Sequence, residues 1–82
     1  MDGRYVTGVV VKVTGLPAHY LRRLEKAGLL TPRLSKGGHR LYTERDLKIL
    51  SEVKQLKEKG VNVAGICEIL KPKMEEEKND NA

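Results

Sequence analysis

Four side chains in the first third of the sequence, His19, Arg22, Arg23 and Lys26, recur at i, i+3, i+4 and i+7. On a helix that spacing gathers them on one side. Three are cationic and the fourth can donate or accept a proton, so the chemistry they suit is anion binding rather than bond breaking. Guanidinium forks match phosphate oxygens and the acceptor edge of guanine. Arg33, Lys36, His39 and Arg40 follow shortly after. Of the 16 Lys and Arg residues, six lie between His19 and Arg40 with a single acid, Glu25; this stretch therefore holds the whole formal charge of +5, and the rest of the chain balances. A charge confined to one block aims a field, and its commonest target is phosphate. The competing reading is a solvated surface. On that reading Lys26 merely favours the negative end of its helix and His39 is merely a turn residue.

No second chemistry competes for these residues. The two histidines lie in basic segments with no nucleophile at a useful spacing, and no carboxylate pair or phosphate-cradling glycine loop is present, so neither enzymatic activity nor a cofactor is expected. Cys67 is the single cysteine. It excludes an internal disulfide and any cysteine-based metal set, and reads as a small half-buried hydrophobe rather than a redox sensor in a reducing, cytoplasmic compartment. No segment has the apolar length of a membrane span, and Met1–Arg4 does not lead into a signal-peptide core.

These side chains must be held by one small domain, since 82 residues leave no room for a second, with an aliphatic core that contains no Phe or Trp and three Tyr. Val9, Val10 and Val11 favour a strand by propensity, but Thr7 as a cap and Thr14-Gly15-Leu16-Pro17 as a turn predict a short first helix. Ala18 to Ala27 forms the second, with Tyr20, Leu21, Leu24 and Ala27 opposite the basic stripe and Gly28 as its stop. Glu25 reads as structural, steering Arg22 or a neighbouring helix. Arg33-Leu34-Ser35 and Arg40-Leu41-Tyr42 flank Lys36-Gly37-Gly38-His39, the pattern of a β-hairpin. Thr43 and Asp46 make a capping box for a helix with Leu47, Leu50, Val53 and Leu56 on one stripe, stopped at Gly60. Asn62 caps a last short helix that turns Val63, Ile66, Ile69 and Leu70 inward. Pro72 is expected to end it, leaving residues 72–82 as an acidic, disordered tail beyond a domain spanning residues 4–71.

The order helix, turn, helix, basic hairpin, helix, short helix is a mainly α winged helix-turn-helix with a small two-stranded wing. Thr14-Gly15-Leu16, Leu21-Arg22, Glu25, Gly28-Leu29-Leu30, Pro32-Arg33, Gly37-Gly38, Arg40-Leu41-Tyr42-Thr43 and Asp46-Leu47 together resemble the DNA-binding domain of the MerR family. The run Gly60-Val61-Asn62-Val63-Ala64-Gly65-Ile66 is similar to the heat-shock-repressor (HspR-like) branch. The resemblance implies a transcription regulator whose second helix and wing contact double-stranded operator DNA through His19, Arg22, Arg23, Arg40 and His39. Arg23, Leu24 and His39 depart from tyrosines common at those positions, which bears on the preferred DNA sequence. The family's long pairing helix is replaced by Pro72 and the tail, so the isolated chain is expected to be mainly monomeric, with an inverted repeat as the place where two copies would meet. Two other classes fit the same composition: an architectural or recombination accessory protein of excisionase type, and a protein-interaction module docking an acidic partner.

Overall fold

The computed structural model of the chain describes residues 4–80, with side chains through Glu76. The elements follow in the order β1 (Tyr5–Val6), α1 (Thr7–Thr14), α2 (Ala18–Lys26), β2 (Arg33–Leu34), β3 (Arg40–Tyr42), α3 (Glu44–Glu58) and α4 (Val63–Asp80). Four helices and a small antiparallel sheet make a winged helix-turn-helix.

The valine-rich segment is helical. The four valines of α1 (Val9, Val10, Val11 and Val13) each cost up to about 0.7 kcal/mol against alanine, so they oppose the helix by roughly 2–3 kcal/mol. Burial reverses the balance. Val10 is fully buried and Val11 packs against the core, and one buried valine is worth about 1.5 kcal/mol or more. Gly15, at φ +76°, ends the helix by donating to the Val11 carbonyl at 2.8 Å. Thr7 is not the cap the sequence suggests. It is the first helical residue, and Val6 occupies the cap position without a side-chain bond.

The core joins all four helices through residues such as Val10, Leu21, Leu24, Leu50, Val53 and Ile66, each fully buried. The capping box at the start of α3 is complete: Thr43 Oγ1 accepts from the Asp46 amide at 3.0 Å, and the Asp46 carboxylate accepts from the Thr43 amide at 2.9 Å. Asn62 caps α4 by accepting from the Gly65 amide at 2.9 Å.

Three expectations are corrected. The sheet has three strands in the order β1-β3-β2, because Tyr5 and Val6 pair with Tyr42 and Leu41. The last helix turns Ile66, Cys67 and Leu70 inward and leaves Ile69 43% exposed. Met74 extends this stripe by one turn, which sets the register, and Cys67 is buried rather than half-buried. Finally, α4 does not stop at Pro72 but runs on to Asp80. A proline there removes one donor to the Glu68 carbonyl. Glu68 and Pro72 are both exposed, so water can satisfy that carbonyl, while Met74 packs on the core and Lys73 pairs with Glu52 at 3.6 Å. Residues 81–82 of the expected tail lie outside the described residues.

Burial raises the phenol pKa of both Tyr20 and Tyr42 above its ordinary value. The folded state therefore holds two protons that the unfolded chain releases near pH 10. Their contribution to stability is complete below about pH 10 and is lost as pH rises from there through the folded-state values. Thermal melts should show a midpoint falling above about pH 10, and the Tyr20→Phe, Tyr42→Phe double variant should fall less steeply over the same range.

The turn between α1 and α2 rests on Thr14, whose buried hydroxyl donates to the Val10 carbonyl at 2.7 Å and accepts from the Leu16 amide at 3.1 Å. Thr14→Val keeps the shape and strands that amide. Denaturant unfolding should show a loss of about 1–3 kcal/mol, with Thr14→Ser losing less.

Candidate nucleic-acid interface

The site begins with the two-sidedness of α2. Leu21 and Leu24 are fully buried and Tyr20 nearly so, while His19, Arg22, Arg23 and Lys26 are all exposed. The helix is pinned at both ends. Tyr20 and Leu21 donate to the Pro17 carbonyl at 3.0 and 3.1 Å, so Pro17 starts the helix from the cap position. At the other end Gly28, at φ +86°, donates to the Glu25 carbonyl and Leu29 donates to the Leu24 carbonyl, both at 3.0 Å. This paired closure requires a left-handed residue, which glycine supplies without strain. Lys57 of α3 lies 5.2 Å above the Tyr20 ring, a cation–π contact that holds the buried side of α2 from the opposite helix. The basic stripe thus stands on a rigid base.

The wing is the β2–β3 hairpin, with Arg33 opposite Leu41 and Leu34 opposite Arg40. Its tip is closed by Ser35, whose carbonyl accepts from Gly38 at 2.9 Å and whose hydroxyl accepts from the His39 amide at 3.1 Å. Gly38 adopts φ +81°. A Cβ on Gly37 would come within 3.3 Å of the His39 ring, so that ring lies across the glycine at the tip. Lys36 is exposed beside it, and Arg33 is exposed on the edge strand.

One interaction joins the wing to the helix. Arg40 Nε donates to both oxygens of Glu25, at 2.7 and 3.2 Å. The carboxylate raises the arginine pKa further, mainly through the hydrogen bond, so Arg40 is a permanent cation. This pairing engages one of the five guanidinium N–H donors. Glu25 lies three residues after Arg22 on α2, at the border of the basic stripe, so Arg40 is held beside that stripe. The eight residues singled out from the sequence therefore fall into three places: His19, Arg22, Arg23 and Lys26 on α2, Lys36 and His39 at the wing tip, and Arg33 and Arg40 on its strands. The sequence suggested Arg22 or a neighbouring helix as the partner of Glu25. The partner is instead Arg40, fifteen positions away, which no helical spacing reveals. Lys57 was also not singled out, because its place over Tyr20 depends on how α3 packs.

Among the described residues no helix is long and apolar enough to cross a membrane, and no group of three or more His, Cys, Asp or Glu is placed to hold a metal ion.

Comparison with known proteins agrees with this architecture. The model of the MerR HTH family regulatory proteins matches residues 5–73. The heat shock protein HspR of Streptomyces coelicolor is 37% identical over 67 residues, covering 80% of this chain and 44% of its own length. The HTH-type transcriptional regulator GlnR of Bacillus anthracis is 38% identical over 63 residues, covering 77% of this chain and 49% of its own length. A crystal structure of a MerR-family transcriptional regulator from Bacillus cereus superposes with a TM-score of 0.72 at 31% identity, over 80% of this chain and 50% of that one. The chain thus spans about half the length of the relatives it matches.

The Glu25–Arg40 contact should act on the placing of the wing rather than on global stability, since an ion pair that water still reaches contributes little. In Glu25→Gln, amide exchange should quicken at Ser35, which donates to the His39 carbonyl, with α3 amides and the thermal midpoint nearly unchanged. Unaltered exchange in the hairpin would show that the pair does not position it.

Proposed function

The chain belongs to the MerR family of helix-turn-helix regulatory proteins, and on that premise we propose that it binds double-stranded DNA as a transcription regulator. In this reading α2 enters the major groove with the side that carries His19, Arg22, Arg23 and Lys26. The wing lies on the adjacent backbone with Arg33, Lys36, His39 and Arg40. The observation that carries the proposal is the opposition on α2: a fully buried Leu21 and Leu24 on one side, four exposed basic or hydrogen-bonding side chains on the other. A helix so anchored can offer its outer side to a polyanion without disturbing the core. Arginine forks read guanine or clamp phosphate, and the wing cations add contacts that fix orientation without reading sequence. A single copy covers one half-site, so two copies on an inverted repeat complete an operator. GlnR and the Bacillus cereus protein are transcriptional regulators by name, which supports the same reading.

The test is the salt dependence of duplex binding. Four or five phosphate contacts imply a slope of log K against log salt near about −4, from about −0.9 per contact. A slope shallower than about −1.5 would move the binding surface away from the basic block and favour the reading as a module for an acidic protein. Competition between selected and random duplex separates a regulator from an architectural protein. Within the site the two groups should fail differently. Arg40→Ala should weaken all duplexes alike and flatten the slope, whereas His19→Ala should change the sequence selected from a random pool.

A further inference from the structure

Leu34 is 67% exposed, the most exposed large apolar side chain among the described residues. It lies on β2, at the edge of the sheet, directly opposite Arg40. Cross-strand partners share a face, as do residues two apart along a strand. Leu34, Arg40 and Tyr42 therefore stand on one face of the wing. Exposure rises along that face: Tyr42 is fully buried, Arg40 is half-buried and turned to Glu25 of α2, and Leu34 is open. The inner face of the sheet thus runs out of the core, past the ion pair, and ends in an aliphatic side chain on the α2 side of the wing.

Charge decides what that side chain can meet. Arg33 precedes it, Lys36 follows two residues later, Arg40 is opposite, and no acid occurs between Pro32 and Tyr42. A leucine at this exposure stabilises no part of the fold, and covering it with an apolar protein surface would strip water from the cations around it at a cost. A duplex strand alternates the two chemistries this hairpin offers, an anionic phosphate and the apolar flank of a deoxyribose.

We propose that Leu34 packs against a deoxyribose at the groove edge, between phosphates held by the wing cations, and so positions the wing on the duplex through a non-ionic contact. The inference rests on the DNA-binding reading above. A sugar carries no base identity, so the contact is neutral to sequence and responds to groove width, which sequence alters only through DNA shape.

The experiment compares the unaltered chain with Leu34→Ala, Leu34→Asn and Leu34→Met on a mixed-sequence duplex pool across a salt titration, with thermal melts of each. Losing part of a buried leucine should weaken binding about fivefold to tenfold in Leu34→Ala and Leu34→Asn. The salt slope and melting midpoint should stay unchanged, and Leu34→Met should remain within about twofold of the original. Unchanged affinity in Leu34→Ala would overturn the proposal. So would a loss accompanied by a shallower slope, because that would make Leu34 a support for the cations rather than a contact of its own. Failure of the unaltered chain to bind duplex at all would instead overturn the DNA-binding reading, and this contact with it.

Discussion

Leu21 and Leu24 hold the rest of the surface in place. Both are fully buried on the inner side of α2, and the four basic-stripe residues stand opposite them on the same nine-residue helix. A helix that short is marginal alone in water, so its conformation comes from packing rather than from propensity. The glycine closure at Gly28 and the Pro17 carbonyl at the start set its length, and the Thr14 hydroxyl sets the turn that aims it. Each device acts on the orientation of one helix, and any binding by its outer side inherits that orientation.

The wing obeys a different constraint. With two strands of two and three residues it has little apolar area to bury, and an isolated hairpin of that size is unstable. It is held because Tyr42 is sunk in the core, because β1 covers the other side of β3, and because Arg40 reaches Glu25. A single carboxylate within the basic block thus ties together two cationic elements that would otherwise repel each other.

Most of this was legible in the residues themselves. Periodicity gave the inner and outer sides of α2, the glycines gave its end and the wing tip, and the Thr43–Asp46 spacing gave the start of α3. The features that were not legible depend on distance along the chain or on balance between effects. A two-residue strand at Tyr5 carries no pattern of its own and exists only through its partners near Tyr42. The Glu25–Arg40 pair spans a turn and a hairpin. Pro72 is a reliable helix breaker by local rules, yet an exposed position and the packing of Met74 beyond it outweigh one missing hydrogen bond. Ile69 and Cys67 exchange their expected places because the stripe of α4 is set by that same extension.

The sheet order also constrains how the domain assembles. During synthesis Arg4, Tyr5 and Val6 emerge well before β3, yet the partner of Tyr5 is Tyr42 and the Arg4 amide bonds to the Tyr42 carbonyl at 2.9 Å. Helices α1 and α2 close through local contacts, which form fast, whereas β1 must wait until the hairpin has supplied β3. The earliest residues of the domain are thus among the last to be secured. Completing the wing is therefore the event that secures β1 against the rest of the domain.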